Sequence, residues 1–232
     1  MGYELTPQVR TDIAKAVTAE RKVIEGLLPS HMKFEKFATT IFLSVTKTPT
    51  LLNCDRQSLL AAFIQAASWG LEPDTPANYC NIVAIGGKAS LWPQYRGLTE
   101  LAHRTGELEK VETRLVFPGD EFDYWFGLNG DLRHKPKMDR EEGNFTHAYC
   151  IFHMKDGSKI WDVMSYEEVL AVAKKAPSFS NAQGAWKNHL NEMARKTVLK
   201  RTSKLVRFST EKATNFVQAV YQDNQLEAGK VA

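Results

Sequence analysis

The strongest constraint on the fold of this chain is a change of hydrophobic period at Trp69-Gly70-Leu71-Glu72-Pro73. Before it, apolar residues recur at helical spacing; after it come short alternating runs separated by turn pairs. Residues 6–28 read as a helix, with Thr6 as cap, Pro7 at the first helical position and Pro29 as the stop. A second helix is expected over 33–46, with Phe34, Phe37, Ile41 and Val45 on one side. Asp55 caps a third, in which Leu59, Leu60, Phe63, Ile64 and Ala67 form a stripe. Such stripes are core or subunit contact rather than a ligand site.

Beyond the switch, runs 79–85 and 88–95 meet across Gly86-Gly87, a hairpin pair because both positions tolerate positive φ. Lys88, Ser90, Trp92 and Gln94 then share one strand face. A short helix follows, with Leu98, Leu101 and Ala102 packing and Gly106 closing it. Run 109–117 alternates as a strand, Pro118-Gly119-Asp120 turns it, and 122–126 is a further strand. Residues 127–143 read as a polar surface excursion. Runs 146–154 and 159–163 form a second hairpin about Asp156-Gly157, and Ser165-Tyr166-Glu167-Glu168 is a capping box that opens a helix through Lys175. Loop 177–184 is rich in small residues, 186–207 is helical, Ser209-Thr210-Glu211 begins a last helix, and the tail frays from Gln225.

The expected class is α+β: N-terminal helices, a central and mostly antiparallel sheet built from hairpins, and a C-terminal basic helix packed on that sheet. Residues 1–70 form a helical lobe suited to subunit contacts, 71–212 a core with the binding groove, and 213–232 a final helix and tail, all in one continuous domain.

Within 186–207, helical spacing places Trp186, Leu190, Met193, Ala194, Thr197 and Leu205 on one broad arc. Lys196, Lys200 and Lys204 stand at i, i+4 and i+8, a row of cations at steps of roughly 6 Å along one flank, with Arg207 close to it. From Arg195 to Lys212 there are seven basic residues against one acid, Glu211, in a chain whose net formal charge is only +3. Like charges at this spacing repel. Their concentration suits a polyanion better than one small substrate, although a solvated basic face has the same pattern.

Three scattered cysteines, Cys54, Cys80 and Cys150, suggest neither a disulfide framework nor a zinc ribbon, and a reducing cytoplasm fits. No signal peptide or long apolar run indicates export or a membrane span. The phosphate-loop pattern is missing, as are His-Glu-x-x-His and Gly-x-Ser-x-Gly, so neither ATP hydrolysis nor a nucleophile is indicated. His147 and His153 are six apart and do not make one metal site on a regular strand. Asp120, Glu121 and Asp123 would serve a metal-dependent nuclease, but after Pro118-Gly119 they read more simply as turn residues.

Several local patterns occur in order: Gly70-Leu71-Glu72-Pro73 before the hairpin; Gln94-Tyr95-Arg96-Gly97-Leu98 leading to Arg104-Thr105-Gly106; Val116-Phe117 leading to Asp120-Glu121-Phe122; His134-Lys135-Pro136; and Trp186 ahead of Met193-Ala194-Arg195-Lys196-Thr197. Together they resemble the RecT family of phage and prophage single-strand annealing recombinases over about residues 30–212. The chain departs from the family pattern at Gln94, at Ala84-Ile85, at Thr105 and at Arg207, where that family usually has glycine, Pro-Tyr, serine and proline. The resemblance implies a protein with no chemical step that coats single-stranded DNA without ATP and anneals complementary strands. It implies ring or helical-filament homo-oligomers with DNA in a basic groove, in the cytoplasm of a bacterial host. The expected partners are single-stranded DNA, the annealed duplex intermediate, a phage 5′→3′ exonuclease and the host single-strand-binding protein. No cofactor or metal is expected, with magnesium acting at most as a counterion.

Annealing requires grip on phosphates with base edges left free. Lys196, Lys200, Lys204 and Arg207 are therefore the first phosphate candidates, while Arg195 and Arg201 point elsewhere, to acids or a neighbouring subunit. Arg96, opening the short helix, adds a guanidinium where a helix N-terminus favours anions; the alternative is a structural salt bridge. Lys88 sits at the hairpin tip. Tyr95 and Trp186 either stack on bases or pack and position the groove, as does Trp92. Gln94, Arg104, Arg114 and, although it points away from the row, Arg195 complete the candidate set. The competing readings are a DNA-coating protein that does not anneal, and a metal-dependent nuclease.

Overall fold

The computed structural model describes residues 6–30, 32–138, 144–180 and 184–230, with the backbone alone at 210–212. Its contacts fall into two compact units, one running to Arg104 and resuming at Thr210, the other spanning Thr105–Ser209.

In the first unit, Thr6 accepts a hydrogen bond from Val9 N and Pro7 opens α1 (Pro7–Ala19). The expected single helix over 6–28 is broken at Glu20 (φ −94°, ψ 10°), and α2 (Arg21–Leu27) follows. The exposed run Thr18, Ala19, Arg21 and Lys22 buries nothing that would hold one straight helix. α3 (Phe34–Lys47) buries Phe34, Phe37, Ile41 and Val45 as its spacing predicts. A 3₁₀ turn (Pro49–Asn53) leads to Asp55, whose carboxylate accepts from Ser58 N at 2.8 Å and caps α4 (Arg56–Trp69). Gly70, at φ 61°, ends α4 in the left-handed conformation.

Strands β1 (Cys80–Ile85) and β2 (Lys88–Pro93) pair antiparallel, with Ile85 opposite Lys88. Gly86 and Gly87 both take positive φ (57° and 78°), as a type I′ turn demands. The start of α4 holds this hairpin: Asp55 N donates to Gly87 O and Ala89 N donates to Ser58 Oγ. α5 (Tyr95–Arg104) buries Gly97, Leu98, Leu101 and Ala102. A Cβ on Gly97 would overlap the Tyr79 carbonyl oxygen, so the Arg96-Gly97 motif serves a close backbone approach.

The second unit begins with β3 (Leu108–Val116), β4 (Glu121–Trp125), β5 (Asp131–Lys135), β6 (His147–Met154) and β7 (Lys159–Ser165). β3, β6 and β7 form one antiparallel sheet in the order β3-β6-β7, and β4 and β5 form a separate hairpin. The antiparallel, hairpin-built character is as expected, but among the described residues the strands are divided among three sheets instead of one central sheet. β5 lies inside the stretch read as a surface excursion, whose residues 139–143 are outside the described set. A one-sided strand of five residues, Asp131-Leu132-Arg133-His134-Lys135, offers few apolar positions to reveal it. At the β6–β7 turn Gly157 has φ 86°. α6 (Tyr166–Ala173) begins with the capping box of Ser165 and Glu168, both hydrogen bonds present.

The expected continuous helix over 186–207 is corrected. A single turn, α7 (Ala185–Asn188), stops at His189 (φ −138°, ψ 42°), and α8 (Leu190–Ser203) starts afresh. Of loop 177–184, residues 181–183 lie outside the described set, and Pro177–Phe179 make a short 3₁₀ turn. α8 packs on β3, β6 and β7, as a basic helix on the sheet should. Finally α9 (Thr210–Glu227) returns to the first unit and packs against α5 and β2. It carries helix past Gln225, where fraying was expected, because Leu226 is buried. Trp92 Nε1 donates to Asp223 on α9 at 2.8 Å, and Trp69 Nε1 reaches Gln218 at 3.5 Å.

Candidate nucleic-acid interface

The sheet of the second unit has two differently used faces. Ala148, Cys150 and Phe152, alternate residues of β6, are fully buried. That side meets α8: the Thr202 side chain reaches Cys150, whose burial pushes its thiol pKa up, and Arg201 Nε donates to Asp162 on β7 at 2.8 Å. The other side carries Val116, Tyr149 and Val163, against which Phe122, Tyr124 and Leu132 of the β4–β5 hairpin pack. Phe122 stacks on Tyr149 with centroids 5.9 Å apart.

α8 is buried on nearly every side. Ala194, Val198 and Thr202 lie at i, i+4 and i+8, and Lys196, Thr197, Leu199 and Lys200 are covered too. The cation row therefore does not run along an open flank. Lys196 and Lys200 are each only 4% exposed and each has interaction partners within the fold. Lys204 stands just beyond the helix as its C-cap (φ −70°, ψ −20°), and Arg207 follows in an irregular segment; both are exposed. Leu205, placed on the buried arc by an unbroken helix, is 55% exposed because the helix has already ended.

The two arginines expected to point elsewhere do so. Arg195 pairs with Glu192 on its own helix. Arg201 bridges Glu168 and Asp162, both at 2.8 Å. The Glu168 hydrogen bond is the main cause that raises the Arg201 pKa, and the same bond lowers that of Glu168. Trp186 is 2% exposed, so it packs, and its Nε1 finds no hydrogen-bond partner among the described residues. Arg114 remains exposed on β3 but pairs with Glu112 at 3.0 Å, beside Lys110 at 2.8 Å. These two cations hold the Glu112 carboxyl below its usual range, Lys110 contributing most.

In the first unit Lys88 is exposed at the β1–β2 tip and Arg96 is exposed in the first turn of α5. Gln94 is half-buried just past β2, with Nε2 3.5 Å from Trp92 O, and Tyr95 is half-buried at the start of α5. Arg104 has a structural place: its Nη1 donates to the carbonyls of Trp69 (2.9 Å) and Gly70 (3.1 Å) while Nε pairs with Glu100 at 2.9 Å. The guanidinium thus satisfies carbonyls left open at the end of α4. The candidates most open to solvent are accordingly Lys88 and Arg96 in one unit and Arg114, Lys204 and Arg207 in the other.

Sequence reasoning missed one polar hub. Asp120 Oδ2 accepts from Phe117 N at 2.9 Å and lies 3.0 Å from His134 Nε2, and its Oδ1 accepts from Lys137 N at 2.8 Å. His134 Nδ1 meets Tyr149 Oη at 3.1 Å. Burial pushes the Tyr149 pKa up to about 12. Asp120 is therefore a buried structural carboxylate, while Asp123 is on the exposed side of β4, and the two do not form a metal pair. Among the described residues no group of three or more His, Cys, Asp or Glu side chains is arranged to hold a metal, and no helix is long and apolar enough to cross a membrane. The motifs Asp120-Glu121-Phe122 and His134-Lys135-Pro136 were the available signal, since both supply the hub.

Comparison with known proteins agrees with these motifs. The chain is 32% identical to Protein RecT of Escherichia coli K12 over 199 residues, covering 82% of this chain and 73% of that protein. It is 28% identical to the uncharacterized protein YqaK of Bacillus subtilis 168 over 196 residues, covering 79% and 67%. The RecT family model matches residues 35–231, so the chain belongs to the RecT family, the single-strand annealing recombinases that its ordered motifs resemble.

Proposed function

We propose that this protein binds single-stranded DNA and anneals complementary strands without ATP and without a chemical step, working as a ring or helical filament of identical subunits. The observation that carries this reading is the basic surplus of residues 195–212, coupled to family membership. Acids tie down Arg195 and Arg201, whereas Lys204 and Arg207 emerge exposed directly after α8. Cations placed this way grip phosphates and carry no base-reading geometry, as pairing of any complementary sequence requires. Lys88, Arg96 and Arg114 are proposed as further phosphate contacts. Direct contact by Lys196 or Lys200 requires them to exchange the partners they hold in the fold.

The proposal includes a phage 5′→3′ exonuclease that supplies the strands, the host single-strand-binding protein as a further partner, a bacterial cytoplasmic setting, and magnesium only as a counterion. The test is annealing of two complementary labelled oligonucleotides, added in sequence, without nucleotide and with or without magnesium. Pairing faster than the uncatalysed rate supports the reading. Binding without faster pairing reduces the protein to a coating protein, and magnesium-dependent cleavage would make it a nuclease.

A further inference from the structure

The β4–β5 hairpin ends in a tip that is ordered and apolar. Trp125 Nε1 donates to Asn129 O at 2.7 Å and Gly130 N to Gly127 O at 3.2 Å, with Gly127 at φ 121°. Phe126 stacks on Trp161, centroids 4.9 Å apart. This framework leaves Leu128 fully exposed (105%), Phe126 62% exposed and Trp125 40% exposed. Three neighbouring large apolar side chains held in water by a built turn indicate a contact surface. The charges beside them leave no cationic surplus: Arg133 pairs with Asp131 at 3.3 Å and lies opposite Asp123, and Lys135 pairs with Glu121 at 3.1 Å. A hairpin with more acids than bases does not attract a polyanion, so a protein partner fits better than nucleic acid.

The chain itself carries a matching recess. A groove of about 240 Å³ runs between α1, the 3₁₀ turn and α4, lined by Val9, Ile13, Leu52, Leu59 and Leu60 among others. Asp12 and Arg56 also line it, both exposed. An apolar knob flanked by Arg133 and Asp131 complements an apolar slot flanked by Asp12 and Arg56.

We propose that the β4–β5 tip of one copy of this chain inserts Leu128 and Phe126 into the α1–α4 groove of a second copy, with Arg133 facing Asp12 and Asp131 facing Arg56. This rests on the reading of the protein as a homo-oligomer and supplies its interface. Knob and slot are different surfaces, so the contact is heterologous and each copy keeps one of each unused. Such contacts propagate to a ring or an open filament and do not close as twofold dimers.

The test uses the full chain, with assembly followed by sedimentation, with and without a long single strand, and short-oligonucleotide affinity measured separately. Leu128→Asp should sediment as a monomer, with unchanged circular dichroism and unchanged short-oligonucleotide affinity. Asp12→Arg and Arg133→Asp should each weaken assembly, and the two together should restore it. Mixing Leu128→Asp with Ile13→Asp should stop at dimers, since only one intact knob and one intact slot can meet. Normal assembly of Leu128→Asp overturns the interface but leaves the oligomer reading standing. Loss of short-oligonucleotide binding by Leu128→Asp makes the tip a DNA contact and also overturns it. A parent protein that stays monomeric under both conditions sinks the oligomer reading, and the interface with it.

Discussion

His134 and Asp120 face each other at 3.0 Å inside the second unit, with their side chains 5% and 0% exposed. The carboxylate also accepts two backbone N–H groups, from Phe117 and Lys137, so it ties the end of β3 to the segment after β5. Removing one partner of a buried hydrogen bond leaves the other unsatisfied, at about 1–3 kcal/mol. Asp120→Ala should therefore destabilise most, His134→Ala less, and Tyr149→Phe least, in urea unfolding. Annealing by all three should persist at temperatures where they remain folded. An Asp120→Ala protein of parental stability would remove the hub from the account of the fold.

Gly97→Ala tests the close approach of α5 to Tyr79. The added methyl group meets a backbone carbonyl, which cannot swing away as a side chain would. A loss of about 3 kcal/mol is expected, the upper end for overpacking, visible as a lowered thermal midpoint. A neutral outcome would mean that α5 shifts freely.

The legible parts of this fold were those written in local chemistry. Gly86-Gly87, the Ser165–Glu168 box, the Asp55 cap and the Phe34-Phe37-Ile41-Val45 stripe each act within a few residues, and each is found where the spacing places it. The break at His189 was not legible, because Trp186 to Arg207 has helical spacing throughout and only packing decides where helix gives way. The burial of Lys196 and Lys200 was hidden for the same reason. A helix wheel reports relative angle, and α8 is covered on nearly all of its sides. The motif residues Gly97, Arg104, Asp120 and His134 stood out as a pattern, yet their work is architectural and depends on partners far away in sequence.

The Arg201–Glu168 pair predicts a pH effect of defined sign. Arg201 depresses the Glu168 pKa in the folded state, so the pair's stabilisation is fully present above the ordinary glutamate range and is lost as pH falls through the depressed value. Glu168 is 49% exposed, which limits the pair to about 1 kcal/mol or less. Glu168→Gln should thus be slightly less stable than the parent at neutral pH, with the difference closing in acid. A difference that widens on acidification would reverse the assignment.

The cations of α8 and its exit predict two separate phenotypes. Lys204 and Arg207 are exposed, so Lys204→Ala/Arg207→Ala should leave stability nearly unchanged, within about 0.5 kcal/mol. If each contacts one phosphate, the slope of log K against log[salt] should flatten by about 1.4. Lys196 and Lys200 are covered, and their aliphatic stems contribute packing as well as charge. Lys196→Ala/Lys200→Ala should lower the unfolding midpoint first, with weakened binding following from the damaged helix. Salt-series binding and urea unfolding on both double variants separate these effects. A flattened slope for Lys196→Ala/Lys200→Ala at parental stability would instead place the covered pair directly on phosphate, and would require α8 to open when DNA binds.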